Sequence, residues 1–305
     1  MPHKHSNNAK YHPKYWPVWF GFGLLRFVSL LPWGSMMAIG RFLGRLTQRL
    51  LPKRVKIADI NLALCFPELS KQQKEKLLRQ HYESLGMGVM DMCFAWWASD
   101  RQVEAITEIH GAENIAPAFA PGKGVVFLTA HFTSIEISGR LLSGLAPVLP
   151  MYRRNENPAI EHLVVKNRER HVERTIPRDD ARLMLRTLKA NKGVWFAPDQ
   201  NFGQKNSVFS TLFGIPAATN TSTSRFAEMT GATVVPFVVF RRQDRPGYDL
   251  YIHPALKGFP SGDVQQDTDR INAIIEDWMR HAPAQYLWSH RRFKDLPDGG
   301  KRDYS

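Results

Sequence analysis

Residues 16–31 read WPVWFGFGLLRFVSLL, strongly apolar with Arg26 as the only charge. The run is short of the ~20 residues that a comfortable membrane span needs, and Pro32 behind it breaks any helix. Tyr15, Trp16, Trp19 and Trp33 are of the aromatic type found at membrane interfaces. The next stretch, WGSMMAIGRFLGRLTQRLLPKRVK, sets Arg41, Arg45 and Arg49 on one helical face and Ile39, Phe42, Leu43, Leu46 and Leu50 on much of the rest. From Lys71 to Trp97, Leu77, Leu78, Tyr82, Leu85, Val89 and Met90 recur at helical spacing. Beyond that, short apolar runs at 124–130, 147–152, 193–197, 233–240 and 249–253 predict strands. They alternate with predicted helices at 134–145, 158–174, 179–191, 219–230 and 264–280. The pattern predicts an α/β fold: a mixed central sheet flanked by helices, with an N-terminal membrane-anchoring helical segment. Residues 1–56 are expected to form the anchor and basic amphipathic helix, and 57–305 the α/β body.

Charge adds a partner class. The 305-residue chain carries a formal net charge of +13, which calls for an anionic partner: nucleic acid, an acidic membrane surface or a phosphorylated substrate. A basic amphipathic helix beside an aromatic-rich apolar run favours the membrane. No zinc spacing or RNA-binding signature supports nucleic acid, and none is expected as a partner. Six Lys/Arg lie in 41–56, against Lys4, Lys10 and Lys14 before the apolar run, a bias toward a cytoplasmic body. Arg26 interrupts the apolar run and no small-residue cleavage site follows, so a signal peptide is not expected. Cys65 and Cys93 form neither a disulfide framework nor a metal spacing.

The candidate chemistry sits at His131-Phe132-Thr133-Ser134-Ile135-Glu136, directly after the predicted strand 124–130. A histidine at a strand end can take a proton from a hydroxyl, and a carboxylate in the following helix can orient its ring. The same residues also fit a capping box, with Glu136 serving Thr133. No serine or cysteine stands in a nucleophile-elbow pattern, and Pro121-Gly122-Lys123-Gly124 lacks the spacing of a nucleotide-binding loop. Residues 151–192 hold eleven Lys/Arg against six Asp/Glu. Among them Arg168 follows Ile160 and Val164 along one helical face, with Arg170 on a neighbouring face. Arg291-Arg292-Phe293-Lys294 forms a second basic group. Guanidinium forks suit phosphate and carboxylate oxygens.

Five blocks, HPKYWPVWFGFG, INLALCFPELS, TAHFTSIEISGRLL, VWFAPDQNFG and APAQYLWSHRRFK, together resemble the late acyltransferases of lipid A biosynthesis, in particular their lauroyl/palmitoleoyl branch. The likeness runs from about residue 11 to 296. It implies an enzyme of the inner membrane, with its catalytic body on the cytoplasmic face. The implied reaction moves a fatty acyl group from acyl carrier protein to a hydroxyacyl chain of Kdo-lipid IVA. It also implies roles residue by residue. His131 and Glu136 match the catalytic H-x4-D/E pair, Arg168 and Arg170 an arginine pair implicated in activity, and Tyr152-Arg153 a YR motif. Asp199 matches the first Asp of a PD-x-D-x-G block, whose second Asp is here Asn201 and whose Tyr is Phe202. Tyr152, Arg153, Arg168, Arg170, Asp199, Arg291 and Arg292 are therefore the expected substrate-binding residues, with no metal or cofactor. The expected mechanism has His131 deprotonate the acceptor hydroxyl while Glu136 holds the imidazole, without an acyl-enzyme. Competing readings are a glycerophospholipid acyltransferase and a non-catalytic basic peripheral membrane protein.

Overall fold

A computed structural model of the chain describes residues 9–203 and 207–305; Lys4, counted in the charge bias above, lies outside them. Proline sets the first boundaries. Helix α1 (Trp16–Val28) stops before Pro32, α2 (Trp33–Leu50) follows, and Pro52 opens α3 (Pro52–Cys65). Helix α4 (Lys71–Trp97) starts on a reciprocal cap in which Ser70 and Gln73 bond each other's backbone N–H. The body adds helices α5 (Asp100–Glu104), α6 (Ile115–Phe119), α7 (Ile135–Ser143), α8 (Pro158–Arg168), α9 (Ala181–Lys189), α10 (Ser222–Thr230) and α11 (Val264–His281). Its strands are β1 (Thr107–His110), β2 (Val125–Leu128), β3 (Val148–Tyr152), β4 (Ile176–Pro177), β5 (Gly193–Phe196), β6 (Ser207–Leu212), β7 (Ile215–Asn220), β8 (Thr233–Arg241) and β9 (Tyr248–Ile252).

Seven strands form one mixed sheet in the order β1-β9-β8-β2-β5-β3-β4. Only β8 and β9 pair antiparallel within it. Strand β2 lies between β8 and β5, parallel to both, and all four of its residues are buried. A continuous apolar run, rather than an alternating one, is what a strand covered on both faces requires.

Several expectations need correcting. Strands β1, β4, β6 and β7 went unpredicted, and residues 219–220 belong to β7 rather than to a helix. The β6–β7 hairpin turns at Phe213-Gly214, both at positive φ (54° and 73°). A two-residue turn of this hand normally shows itself by Asn-Gly or Asp-Gly; with Phe in the first place the signal is missing. The helix predicted over 158–174 stops at Arg168. Beyond it the Glu169 carboxylate accepts from the backbone N–H and hydroxyl of Thr175 and folds the chain back.

No helix among the described residues is long and apolar enough to cross a membrane. At 1.5 Å per residue α1 is about 20 Å long, against a hydrocarbon core of ~30 Å. The membrane-anchoring helix expected from the sequence is thus without support in the described structure. Helix α2 instead packs along α4, with Met36 and Met37 fully buried. The backbones meet at Gly40, Gly44 and Gly86: a Cβ on Gly44 would lie 2.0 Å from the Tyr82 carbonyl oxygen, and one on Gly86 2.0 Å from that of Gly40. On the far side of α4, a Cβ on Gly88 would meet the Thr133 carbonyl oxygen at 2.5 Å. Helix α4 is therefore wedged between α2 and the loop that carries His131.

A buried ion pair locks this wedge to the sheet. Arg241, the last residue of β8, is ion-paired to Asp91 of α4, which is wholly buried. The Tyr248 hydroxyl also donates to Asp91 (2.6 Å), and Trp33 of α2 donates its indole N–H to Tyr248 (3.0 Å). Arg241 further donates to Ser84 (3.1 Å), which shares a hydrogen bond with the Thr133 hydroxyl (2.7 Å). Removing one partner strands the other as a buried charge, which costs about 3–5 kcal/mol, whereas an apolar pair of similar shape is far better tolerated. Asp91→Leu is therefore expected to lower stability by about 3–5 kcal/mol in chemical denaturation. Adding Arg241→Met should recover a large part of that loss. Additive single effects would show that the pair is not coupled.

Candidate active site

Parallel strands place the site. In the pairing of β2 with β5, Leu128 lies opposite Phe196, and His131 and Asp199 each follow three residues later. Both therefore leave the same carboxyl edge of the sheet side by side, the usual location of sites in such folds. Asp199 is 1% exposed, and its two oxygens meet one residue. Oδ1 lies 2.7 Å from His131 Nδ1, and Oδ2 accepts the His131 backbone N–H at 3.0 Å. His131 Nε2 has no protein hydrogen-bond partner among the described residues, and its ring is 28% exposed. The carboxylate on Nδ1 fixes the tautomer that leaves Nε2 free to take a proton.

The carboxylate that orients His131 in this structure is thus Asp199, and Glu136 makes no hydrogen bond to His131 among the described residues. Glu136 is held by Arg168 in an ion pair and by the Trp96 indole N–H at 3.1 Å. It does not cap α7 either. Thr133 turns its hydroxyl to Ser84, and Ser134, at the cap position, makes no side-chain cap bond. Sequence spacing put Glu136 near His131 along the chain; the strand order brings Asp199 to the ring.

Electrostatics follow from these contacts. Burial alone would lower the His131 pKa, but the charge and hydrogen bond of Asp199 outweigh it and raise the value above 6.5. Burial likewise opposes ionisation of Asp199, yet His131, with help from the Tyr286 hydroxyl, brings it down to about 2. For Arg168 too, burial is outweighed by Glu136, and the guanidinium is held more firmly charged.

Residues 285–292, which run into the basic group at 291–294, supply a wall of the site. Phe132 bridges Tyr286, the Thr133 N–H donates to the Gln285 carbonyl, and the Leu287 N–H to that of His131. His290 Nε2 accepts the Asn201 N–H at 2.9 Å, and burial drives its pKa down to about 4, so it stays neutral there. Asn201 accepts the Gly203 N–H through its side chain; an amide does this as well as the carboxylate it replaces.

The predicted substrate-binding residues divide. Arg292 is buried, donating to the Ala218 carbonyl (2.7 Å) and Thr219 hydroxyl (2.6 Å), so it braces the β6–β7 hairpin and faces no substrate. Asp199 is committed to His131. Tyr152 donates to Glu161 (2.6 Å), and its ring lies beneath Arg168, 5.9 Å from the guanidinium carbon. Arg153, Arg170 and Arg291 are exposed. A narrow slot of about 20 Å³ opens beside Glu136 and Arg168, walled by Trp96, Gly139, Pro150 and Trp195. It has room for roughly one water, not for a fatty chain. Of the described residues, Glu108, His110 and Asp249 cluster as metal ligands do, on β1 and β9, separated from β2 by β8 in the sheet order. Arg242 and Arg245 already neutralise that cluster.

The model of the family described as bacterial lipid A biosynthesis acyltransferase matches residues 3–295. The chain belongs to this family. The lipid A biosynthesis lauroyltransferase of Escherichia coli (strain K12) is 38% identical over 96% of both chains. The palmitoleoyltransferase of the same organism is 35% identical over 94% of both. The E. coli lipid A biosynthesis myristoyltransferase is more distant, at 23% identity over 98% of this chain and 96% of its own. Among solved structures, the 1-acyl-sn-glycerophosphate acyltransferase PlsC of Thermotoga maritima aligns at a TM-score of 0.39 with 17% identity, over 82% of this chain and 99% of that one. The protein is thus a lipid A acyltransferase.

NMR titration of the histidines checks this arrangement. His131 should titrate above 6.5 and His290 near 4. Asp199→Asn should bring His131 down while leaving His290 a low-pH group; an unmoved His131 would show that Asp199 does not set its charge.

Proposed function

We propose that the protein transfers a fatty acyl group from acyl carrier protein to the hydroxyl of a hydroxyacyl chain on Kdo-lipid IVA. Its support is the pairing of His131 with Asp199, which leaves Nε2 unpartnered at the carboxyl edge of the sheet. Nε2 takes the proton of the acceptor hydroxyl as its oxygen attacks the carrier's thioester carbonyl. The tetrahedral intermediate collapses to the new ester and expels the thiolate, which recovers the proton from the imidazolium. General-base assistance of this kind is worth about 10²–10⁴ in rate. Asp199 orients the ring and steadies its charged form. Glu136 acts through Arg168, which it holds charged and fixed beside the slot.

Purified protein given acyl carrier protein loaded with a fatty acid, and either Kdo-lipid IVA or lysophosphatidic acid, tests the substrate assignment. Mass spectrometry should find the added chain on the first acceptor; acylation of the second alone would overturn the proposal. His131→Ala should lose about 10²–10⁴ in kcat/KM. The base must be neutral, so kcat/KM should rise with pH through a value above 6.5. Asp199→Asn removes the charge that raises it and should move that limb to lower pH. Glu136→Gln should lower the rate without moving the limb. A limb that follows Glu136 instead would return the orienting role to it.

Attachment to the cytoplasmic face of the inner membrane belongs to the same proposal. Trp16, Phe20, Leu24 and Phe27 form an exposed stripe along α1, and Phe42, Leu46 and Leu50 a second along α2. Arg41, Arg45 and Arg49 adjoin the second stripe. Such helices lie in a membrane interface rather than cross it. Phe20→Ser, Leu24→Ser and Phe27→Ser combined should shift the protein from vesicles of anionic phospholipid to the soluble fraction in flotation. Undiminished binding would place the contact elsewhere.

A further inference from the structure

A second opening lies between α1, the end of α4 and α8, and the mechanism above does not use it. It encloses about 320 Å³. Arg26 of α1, Lys166 of α8 and Arg170 just beyond α8 line it, together with the indoles of Trp19 and Trp97 and the side chain of Asn167. None of the three cations is ion-paired to a carboxylate among the described residues. Arg26 donates only to the Ser29 hydroxyl (3.0 Å), and its guanidinium carbon stands 5.7 Å from the Trp97 ring centre. Three cations of the less exposed interior are ion-paired instead: Arg168 with Glu136, Arg241 with Asp91, Arg242 with Asp249. Three unpaired positive charges around one concavity repel each other, and an anion relieves that repulsion.

The walls are built. The Trp97 indole N–H donates to the Asn167 side-chain oxygen at 3.0 Å, and the Asn167 amide donates to the Leu163 carbonyl at 2.8 Å. These bonds fix an indole face and a polar edge. The next residue on each element reaches the catalytic side: Trp96 and Arg168 both bond Glu136. The cleft and the slot beside Glu136 thus lie on either side of Trp96-Trp97 and Asn167-Arg168. On its other side the cleft opens beside the exposed stripe of Phe20, Leu24 and Phe27 on α1.

We propose that this cleft binds a phosphate monoester on the sugar head of the acylated acceptor. The guanidinium and ammonium groups would take the phosphate oxygens. The indoles would take the apolar faces of the sugar, and the fatty chains would run out along the α1 stripe. This assignment rests on the lipid A reading given above and deepens it.

Kinetics with Arg26→Gln, Lys166→Gln and Arg170→Gln, singly and combined, test it against three acceptors or competitors. These are the phosphorylated lipid, the same lipid with its phosphate removed, and inorganic phosphate. The wild type must first acylate the phosphorylated lipid; if it does not, the functional reading fails, not this site. Given that activity, each substitution should raise the KM for the phosphorylated acceptor up to about tenfold. The value of kcat and the KM for the acyl donor should be preserved. The dephosphorylated acceptor should start with a higher KM and be insensitive to the substitutions. Inorganic phosphate should compete in the wild type and lose its effect in the triple variant. Equal sensitivity of both acceptors would overturn the assignment in favour of general attraction to the membrane. A raised donor KM with an unchanged acceptor KM would overturn it in favour of the carrier protein. All three side chains are exposed, and an unchanged thermal midpoint will show that the variants are folded.

Discussion

The ion pair between Asp91 and Arg241 is the constraint around which the rest is arranged. Both residues are buried, so neither charge is tolerable alone. The pair forces α4, β8 and β9 to meet at one point, and Tyr248 and Trp33 extend the network to α2. The Arg241 backbone N–H and carbonyl are both bonded by the Gln285 side-chain amide, and the Gln285 carbonyl receives the Thr133 N–H. The loop that carries His131 is therefore pinned by Ser84 of α4 on one side and by Gln285 on the other. Such pairs contribute less to net stability than to uniqueness of arrangement, and a catalytic loop gains more from the second.

How far the sequence could be read depended on whether the cause was local. The buried strands β2, β5 and β8 announce themselves as apolar runs, and His131 at the end of the first was visible as a candidate base. Its partner was not. Asp199 lies 68 positions away, and what joins the two is the parallel pairing of β2 with β5. One sequence carries little trace of such pairing, and Glu136 is the carboxylate nearer to His131 along the chain. The β6–β7 hairpin was lost because Phe213 occupies a turn position usually held by Asn or Gly. Arg292 shows the converse limit: in sequence it is one more cation in a basic run, and only the fold reveals it bonded to Ala218 and Thr219 in the interior.

Net charge had the same double meaning. The surplus of basic residues predicted an anionic partner, yet Arg241 and Arg292 spend their charge inside the protein. Of the charge that remains outside, one group lies on the face of α2 and another around the cleft between α1 and α8. Composition could say that an anion was wanted, but not that the two places are separate or that one shares a wall with Glu136.

The glycine contacts of α4 have a mechanical consequence. At Gly40, Gly44 and Gly86 two helices touch backbone to backbone, and at Gly88 the same helix touches the Thr133 carbonyl. Side chains can change rotamer and absorb a displacement; bare backbones cannot. Helix α2, helix α4 and the loop bearing His131 therefore move as a single rigid strut. Whatever surface α2 rests on, the height of the imidazole above that surface is a constant of the fold, and any group that meets the imidazole must come to that level.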